Sequence, residues 1–229
     1  MNVKIKNRLL SALFAVAAVV LIITFSIGLP IYVRGFYYAQ IDSLNLPERT
    51  GHTKEEIREA YDEVLDFLTI PGREFGSGVF RWSESGKSHF EDCKVLFDLN
   101  IVALIVSLAV IVTLGVLIRR RVFELSRPFG HSILLTCGAS TLGFFALLGI
   151  IVSIDFDTAF VVFHSLFFPG KDNWIFDART DEIIRAMPQK FFMNCAILIA
   201  SSIIIISVGC IVYGIVERRL RLRRESKQD

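Results

Sequence analysis

Four stretches of this 229-residue chain contain no Asp, Glu, Lys or Arg: 9–33, 99–118, 128–154 and 191–216. An α-helix rises about 1.5 Å per residue, so roughly 20 apolar residues cross a hydrocarbon core about 30 Å thick. Each stretch reaches that length. Inside lipid, a segment that satisfies its own backbone hydrogen bonds is a helix unless it closes into a barrel. The sequence therefore predicts an all-α membrane protein: four transmembrane helices carrying a small, mainly helical extracellular cap. With 53% hydrophobic residues gathered in this way, a disordered chain and a nucleic-acid binder are excluded.

The net charge of +2 hides an asymmetry. The N-terminus (Lys4, Lys6, Arg8), the link 119–127 and the tail 217–229 together carry +9, whereas 34–98 and 155–190 carry −7. The positive-inside rule then puts both termini and the 119–127 link in the cytoplasm, with the 34–98 cap and the 155–190 loop outside. Ala15-Val16-Ala17 imitates a signal-peptidase site, but the apolar run continues to Leu29, too long for a secretory h-region of roughly 7–15 residues. The whole chain, 1–229, reads as one membrane domain.

The cap contains one strong helix signal. Thr53 and Glu56 form a capping box, and Ile57, Ala60, Tyr61, Val64, Leu65 and Leu68 follow at helical spacing until Pro71-Gly72. A short strand is expected at 79–82, then one continuous helix from about Lys87 into the second span. Ala139 and Gly143 form a small-xxx-small pair, which predicts close packing of the third span at Gly143. Cys137, Cys195 and Cys210 fall inside spans as packing residues; Cys93 alone lies outside, so no disulfide framework is available.

The second outer loop differs in kind. Nine of the 38 residues from Asp155 to Phe192 are aromatic. Phe156, Phe160, Phe163 and Phe167 share one helix face with His164 among them, and Phe168-Pro169-Gly170 turns toward Trp174 and Phe176. An interfacial belt has this character; so does a pocket for acyl chains.

Apart from His131, at the edge of the third span, the spans hold no ionisable side chain. Ion-coupled transport normally uses such groups, and their absence argues against it. Polar chemistry then belongs outside the bilayer core. His52 reads as a cap residue far from any span. His89 precedes the second span by ten residues and His164 follows the third by ten, which sets the two at matched depth. A zinc site built from His89, Asp92 and His164 lacks any recognised ligand spacing. His89 and Cys93 are i, i+4 neighbours and form a candidate nucleophile pair. General acid–base chemistry needs only the two histidines, with Asp92 placed one turn on to orient the first ring.

The segments Ser88-His89-Phe90-Glu91-Asp92, Phe163-His164-Ser165-Leu166-Phe167-Phe168, Trp174-x-Phe176 and Pro188-x-x-Phe191-Phe192 resemble the bacterial lipoprotein intramolecular transacylases. Those are four-span proteins with an extracellular cap. The resemblance covers the topology of the whole chain, but its motifs lie in 88–98 and 163–192, and residues 34–86 match none. Cys93 departs from a position that is usually apolar in the family. The resemblance implies a diacylglyceryl-modified lipoprotein as substrate, the lipid bilayer of a bacterial plasma membrane as setting and no cofactor. It implies transfer of the sn-2 acyl chain to the cysteine's own α-amine, giving a lyso-form lipoprotein. His89 and His164 would be catalytic and Asp92 orienting, with Phe90, Phe163, Phe167, Phe168, Trp174 and Phe176 around the substrate. Which histidine acts as base stays open. The competing readings are a non-enzymatic membrane protein whose cap binds lipid or a partner, and an outward-facing lipid hydrolase.

Overall fold

Residues 2–226 are described by a computed structural model; Lys227 and Asp229, two charges of the basic tail, lie outside the described residues. In chain order these residues form α1 (Val3–Tyr32), α2 (Gly35–Tyr38), α3 (Leu46–Thr50), α4 (Lys54–Thr69) and α5 (Glu84–Arg119). A 3-10 turn (Pro128–Gly130) follows, then α6 (Ile133–Ile154), α7 (Phe156–Phe167), α8 (Ile183–Ala186) and α9 (Gln189–Glu225). There is no strand among the described residues, so the strand expected at 79–82 is absent. Its place is taken by a turn in which Phe80 N donates to the Ser77 carbonyl at 3.0 Å and Ser77 Oγ donates to the Phe80 carbonyl at 2.8 Å, so these backbone groups bond within the turn and not across a ladder. The helices α1, α5, α6 and α9 are long and apolar enough to cross a membrane. Their outward side chains agree: Ile205 is 71% and Val102 57% exposed, which bulk water penalises and lipid does not. The protein is a multi-pass membrane protein.

The chain divides into two compact units. One comprises Met1–Ser26, Val102–Ile151 and Ala200–Asp229. Its core gathers Phe14, Ala18, Leu114, Phe123 and Ile133. A Ser26–Ser202 hydroxyl pair at 3.0 Å ties α1 to α9, and Arg127 pairs with Glu217 at 2.7 Å. The glycine that permits close packing of α6 is Gly138, where an added Cβ would lie 2.6 Å from the Ser207 carbonyl oxygen. Gly143, expected to do this, faces open space. The reason is helical phase: Ile133, Cys137, Gly138 and Thr141 make the buried face of α6, and Ala139 and Gly143 are exposed.

The other unit comprises Ile27–Ile101 and Val152–Ile199. Here α4 is capped as the sequence requires: the Thr53 hydroxyl accepts from Glu56 N while Glu56 returns the bond. Its apolar stripe, including Ile57, Tyr61, Val64 and Leu68, is buried. Tyr61 stacks on Tyr37 at 3.7 Å, and both meet Phe191 edge-on. Tyr37 donates its hydroxyl proton to the Ala186 carbonyl at 2.8 Å. On the outer face of α4, Arg34 pairs with Asp62 and Asp66. The helix α5 starts at Glu84, slightly before the expected Lys87, because Ser83 caps it. Ser83 Oγ accepts from Gly86 N at 3.0 Å, and the buried Asp181 accepts from Ser83 N and Oγ at 2.8 and 2.9 Å.

Candidate active site

His89 and His164 belong to the second unit, and the fold brings them together. His89 projects from the first turns of α5, and His164 from α7, whose N-terminus is capped by Asp155 accepting from Thr158 N at 3.0 Å. The ring centroids lie 5.8 Å apart, and each residue is only 7% exposed. Around His89, Phe168 sits at 5.0 Å and Phe176 at 5.5 Å, both edge-on. Around His164, Phe160 is at 4.3 Å and Trp174 stacks at 4.5 Å. Phe90 is buried behind this layer, stacked between Phe75 at 5.2 Å and Phe176 at 5.7 Å. Phe163 and Phe167 turn outward, 47% and 46% exposed. His52 stands apart, against Phe80 and Glu56.

The hydrogen bonds distinguish the rings. His164 Nδ1 lies 2.7 Å from the Phe160 carbonyl oxygen, which can only accept. Nδ1 therefore carries the proton in the neutral ring, and Nε2 keeps its lone pair. His89 Nε2 contacts Cys93 Sγ at 3.4 Å, while His89 Nδ1 is buried without a partner. Burial pushes the His89 pKa down to about 4, helped by the neighbouring His164 and opposed by Asp92. Burial also lowers His164, against the Phe160 carbonyl, which favours the cation. Burial, with the Asp92 charge adding to it, pushes the Cys93 thiol up to about 12, so it remains S–H and is not an activated nucleophile.

Asp92 does not hydrogen-bond the His89 ring. Its carboxylate accepts from Lys171 Nζ at 2.5 Å and Asn173 Nδ2 at 3.0 Å. Burial favours the neutral acid, but these two donors outweigh it and hold the pKa below the usual carboxylate range. Asp92 thus fastens the loop after α7 to α5. That loop turns at Gly170, whose φ of +74° suits glycine. Within it the Trp174 indole donates to the Lys171 carbonyl at 3.1 Å, setting the ring that stacks on His164. Lys171 and Asn173 gave no signal in the sequence, because their partner lies about 80 residues away in the chain. No group of three or more His, Cys, Asp or Glu is arranged to hold a metal ion among the described residues.

Fold and site together define a multi-pass helical membrane protein with a histidine pair enclosed by aromatic rings. The family model for the lipoprotein intramolecular transacylase Lit matches residues 12–192. The structure of Lit from Bacillus cereus superposes with a TM-score of 0.83 at 26% identity, covering 96% of this chain and 98% of that one. Two further structures of the Bacillus cereus protein carry one histidine replaced by arginine or by alanine. Each superposes with a TM-score of 0.76, at 25% and 26% identity, covering 98% and 94% of this chain and 95% and 96% of theirs. No curated protein matches the sequence. The chain belongs to the Lit family of lipoprotein intramolecular transacylases.

Proposed function

We propose that this protein moves the sn-2 acyl chain of a diacylglyceryl-cysteine lipoprotein to that cysteine's α-amine, with His89 and His164 doing the proton work. One observation carries the reading: two histidines 75 residues apart in sequence meet at 5.8 Å inside an aromatic enclosure. Replacement of a histidine in two of the matched structures supports a histidine as the group that matters.

The reaction is an isomerisation. The amine nitrogen attacks the ester carbonyl carbon, an N–C bond forms, and the carbonyl oxygen takes the displaced electron pair. Collapse breaks the ester C–O bond, and the proton lost by nitrogen ends on the glyceryl oxygen. The path from nitrogen through Cα, Cβ, sulfur and two glyceryl carbons to the ester closes a ring of about eight members, which forms poorly in free solution. Enclosure by Phe160, Phe168, Trp174 and Phe176 supports a role in folding the substrate and excluding the water that would hydrolyse the ester. Phe163 and Phe167, exposed on α7, suit contact with acyl chains.

The rings take different parts. His164, protonated at Nδ1 by its bond to Phe160, offers the Nε2 lone pair and acts as the base, later returning the proton to the glyceryl oxygen. For His89, we assign the Cys93 S–H as the donor in its 3.4 Å contact with Nε2, the sense that puts the ring proton on Nδ1 as a donor for the oxyanion. Asp92 acts as a positioning residue through the Lys171–Trp174 loop. The termini are cytoplasmic and the site faces outward, so a topology reporter at Ser85 should read as external; a cytoplasmic reading would separate the site from its substrate. The decisive test is the N-terminal peptide of a lipoprotein made with and without the protein. Acyl transfer leaves its mass unchanged and converts the α-amine to an amide, whereas loss of an acyl mass would mean ester hydrolysis instead.

A further inference from the structure

Resting on that reading, we propose that the Asn173 side-chain carbonyl is a second acceptor for the substrate's α-amine, holding one N–H while His164 Nε2 takes the other. The orientation of the Asn173 amide follows from its partners. Asp92 is ionised and can only accept, so the group facing it at 3.0 Å must be the NH2, which also reaches Ser88 Oγ at 3.4 Å. The carbonyl oxygen is then the atom turned away from Asp92. It is buried and has no partner.

Buried acceptors are rarely left unpaired, and each that is needs an explanation; beside a histidine pair, a catalytic role is the one the surroundings favour. Among the described residues of this unit, the other buried, unpartnered side-chain atom is His89 Nδ1. Asn173 connects both histidines: it bonds Ser88, the neighbour of His89, and precedes Trp174, which stacks on His164. The count fits the chemistry. A neutral primary amine attacking an ester directs its lone pair at carbon and presents two N–H groups. The site supplies two acceptors, His164 Nε2 and Asn173 Oδ1, and one donor, His89 Nδ1, for the oxyanion. Holding both N–H groups fixes the direction of the lone pair, which one acceptor leaves free to rotate. Both buried atoms are shielded from solvent, so substrate reaches them as part of the aromatic cover moves aside. Asp92 keeps the Asn173 oxygen from turning away, which gives the Asp92–Asn173 bond a purpose beyond fastening the loop.

The experiment compares two synthetic diacylglyceryl lipopeptides, one with a primary α-amine and one N-methylated, which presents a single N–H. The full-length wild type, Asn173→Ala, Asn173→Ser and Lys171→Ala are assayed for N-acyl product with both. Ser keeps a small polar side chain whose oxygen stops one bond short of the Asn173 carbonyl oxygen, which covers an Ala variant that fails to fold; Lys171→Ala loosens the loop and leaves the amide. With the primary amine, kcat should fall roughly tenfold in the Asn173 variants, the value of one hydrogen bond to a nitrogen gaining positive charge. The penalty for N-methylation should shrink by a similar factor in the Asn173 variants and keep its wild-type size in Lys171→Ala. An unchanged N-methyl penalty in the Asn173 variants would overturn the inference and leave the transacylase reading intact. No N-acyl product from the primary amine with wild type would remove the reading on which it rests.

Discussion

The two histidines should respond differently to amide substitution, because different ring nitrogens are assigned the work. An Asn side chain places its amide near the position of a histidine Nδ1, and Gln places it near Nε2. At position 89 the working atom is the unpartnered Nδ1, while Nε2 is engaged with Cys93. His89→Asn therefore keeps an N–H at the oxyanion position, and His89→Gln moves it toward Cys93. Removing one oxyanion donor costs about 10²–10³ in rate, or roughly 2.7–4 kcal/mol. His89→Gln should show that full loss and His89→Asn about a tenth of it or less. At position 164 the need is for a base, and no amide is one. Both His164→Asn and His164→Gln should lose roughly 10²–10⁴, although Asn can still donate to the Phe160 carbonyl. The assay is N-acylated lyso product from a diacylglyceryl lipopeptide, with melting temperature as the check on folding. Cys93→Ser should stay close to wild type, because a hydroxyl also donates to Nε2. Greater activity in His89→Gln than in His89→Asn, or near-wild-type activity in either His164 variant, would refute the division of roles.

Three further outcomes follow from the same geometry. The His89 pKa is pushed down to about 4 from 6.5, so between these values the unfolded chain binds the proton and the folded one does not. The contribution is fully present above pH 6.5 and is lost as pH falls toward 4, by roughly 3 kcal/mol in all; thermal scans at pH 7 and pH 5 should show a larger drop for wild type than for His89→Gln, and equal drops would count against a neutral buried ring. Gly86→Ala should destabilise the start of α5 and disturb the site together, since its Cβ would fall 2.1 Å from Asp181 Oδ1 and 3.4 Å from the Phe176 ring; activity and melting temperature should fall in parallel, and a variant like wild type in both would contradict this packing. Gly138→Leu should destabilise strongly against the Ser207 carbonyl and Gly143→Leu hardly at all, a ranking that detergent melting curves can reverse only if α6 packs in another phase.

What the sequence determined by itself is what local periodicity and charge can encode. Uncharged runs long enough for a bilayer give four helices because a backbone in lipid must bond within its own segment. The Thr53–Glu56 capping box and the stripe after it likewise act over one or two turns, and α4 forms where they require. The family motifs mark His89, His164 and their aromatic neighbours without showing how they meet. Tertiary structure decided the rest. Asp92, placed one turn from His89, looks like a partner for that ring, yet it is taken by Lys171 and Asn173 from the far side of a loop. No periodic signal links residues so distant in the chain, because that pairing depends on the turn at Gly170 and on which face of α5 the loop meets. The packing glycine of α6 moved from Gly143 to Gly138 for a related reason: small-residue spacing repeats along a helix, and only the neighbouring helix selects which repeat is buried. The unpartnered atoms, His89 Nδ1 and Asn173 Oδ1, belong wholly to this second level. Whether a polar group is satisfied depends on everything packed around it, and the chain order does not record that.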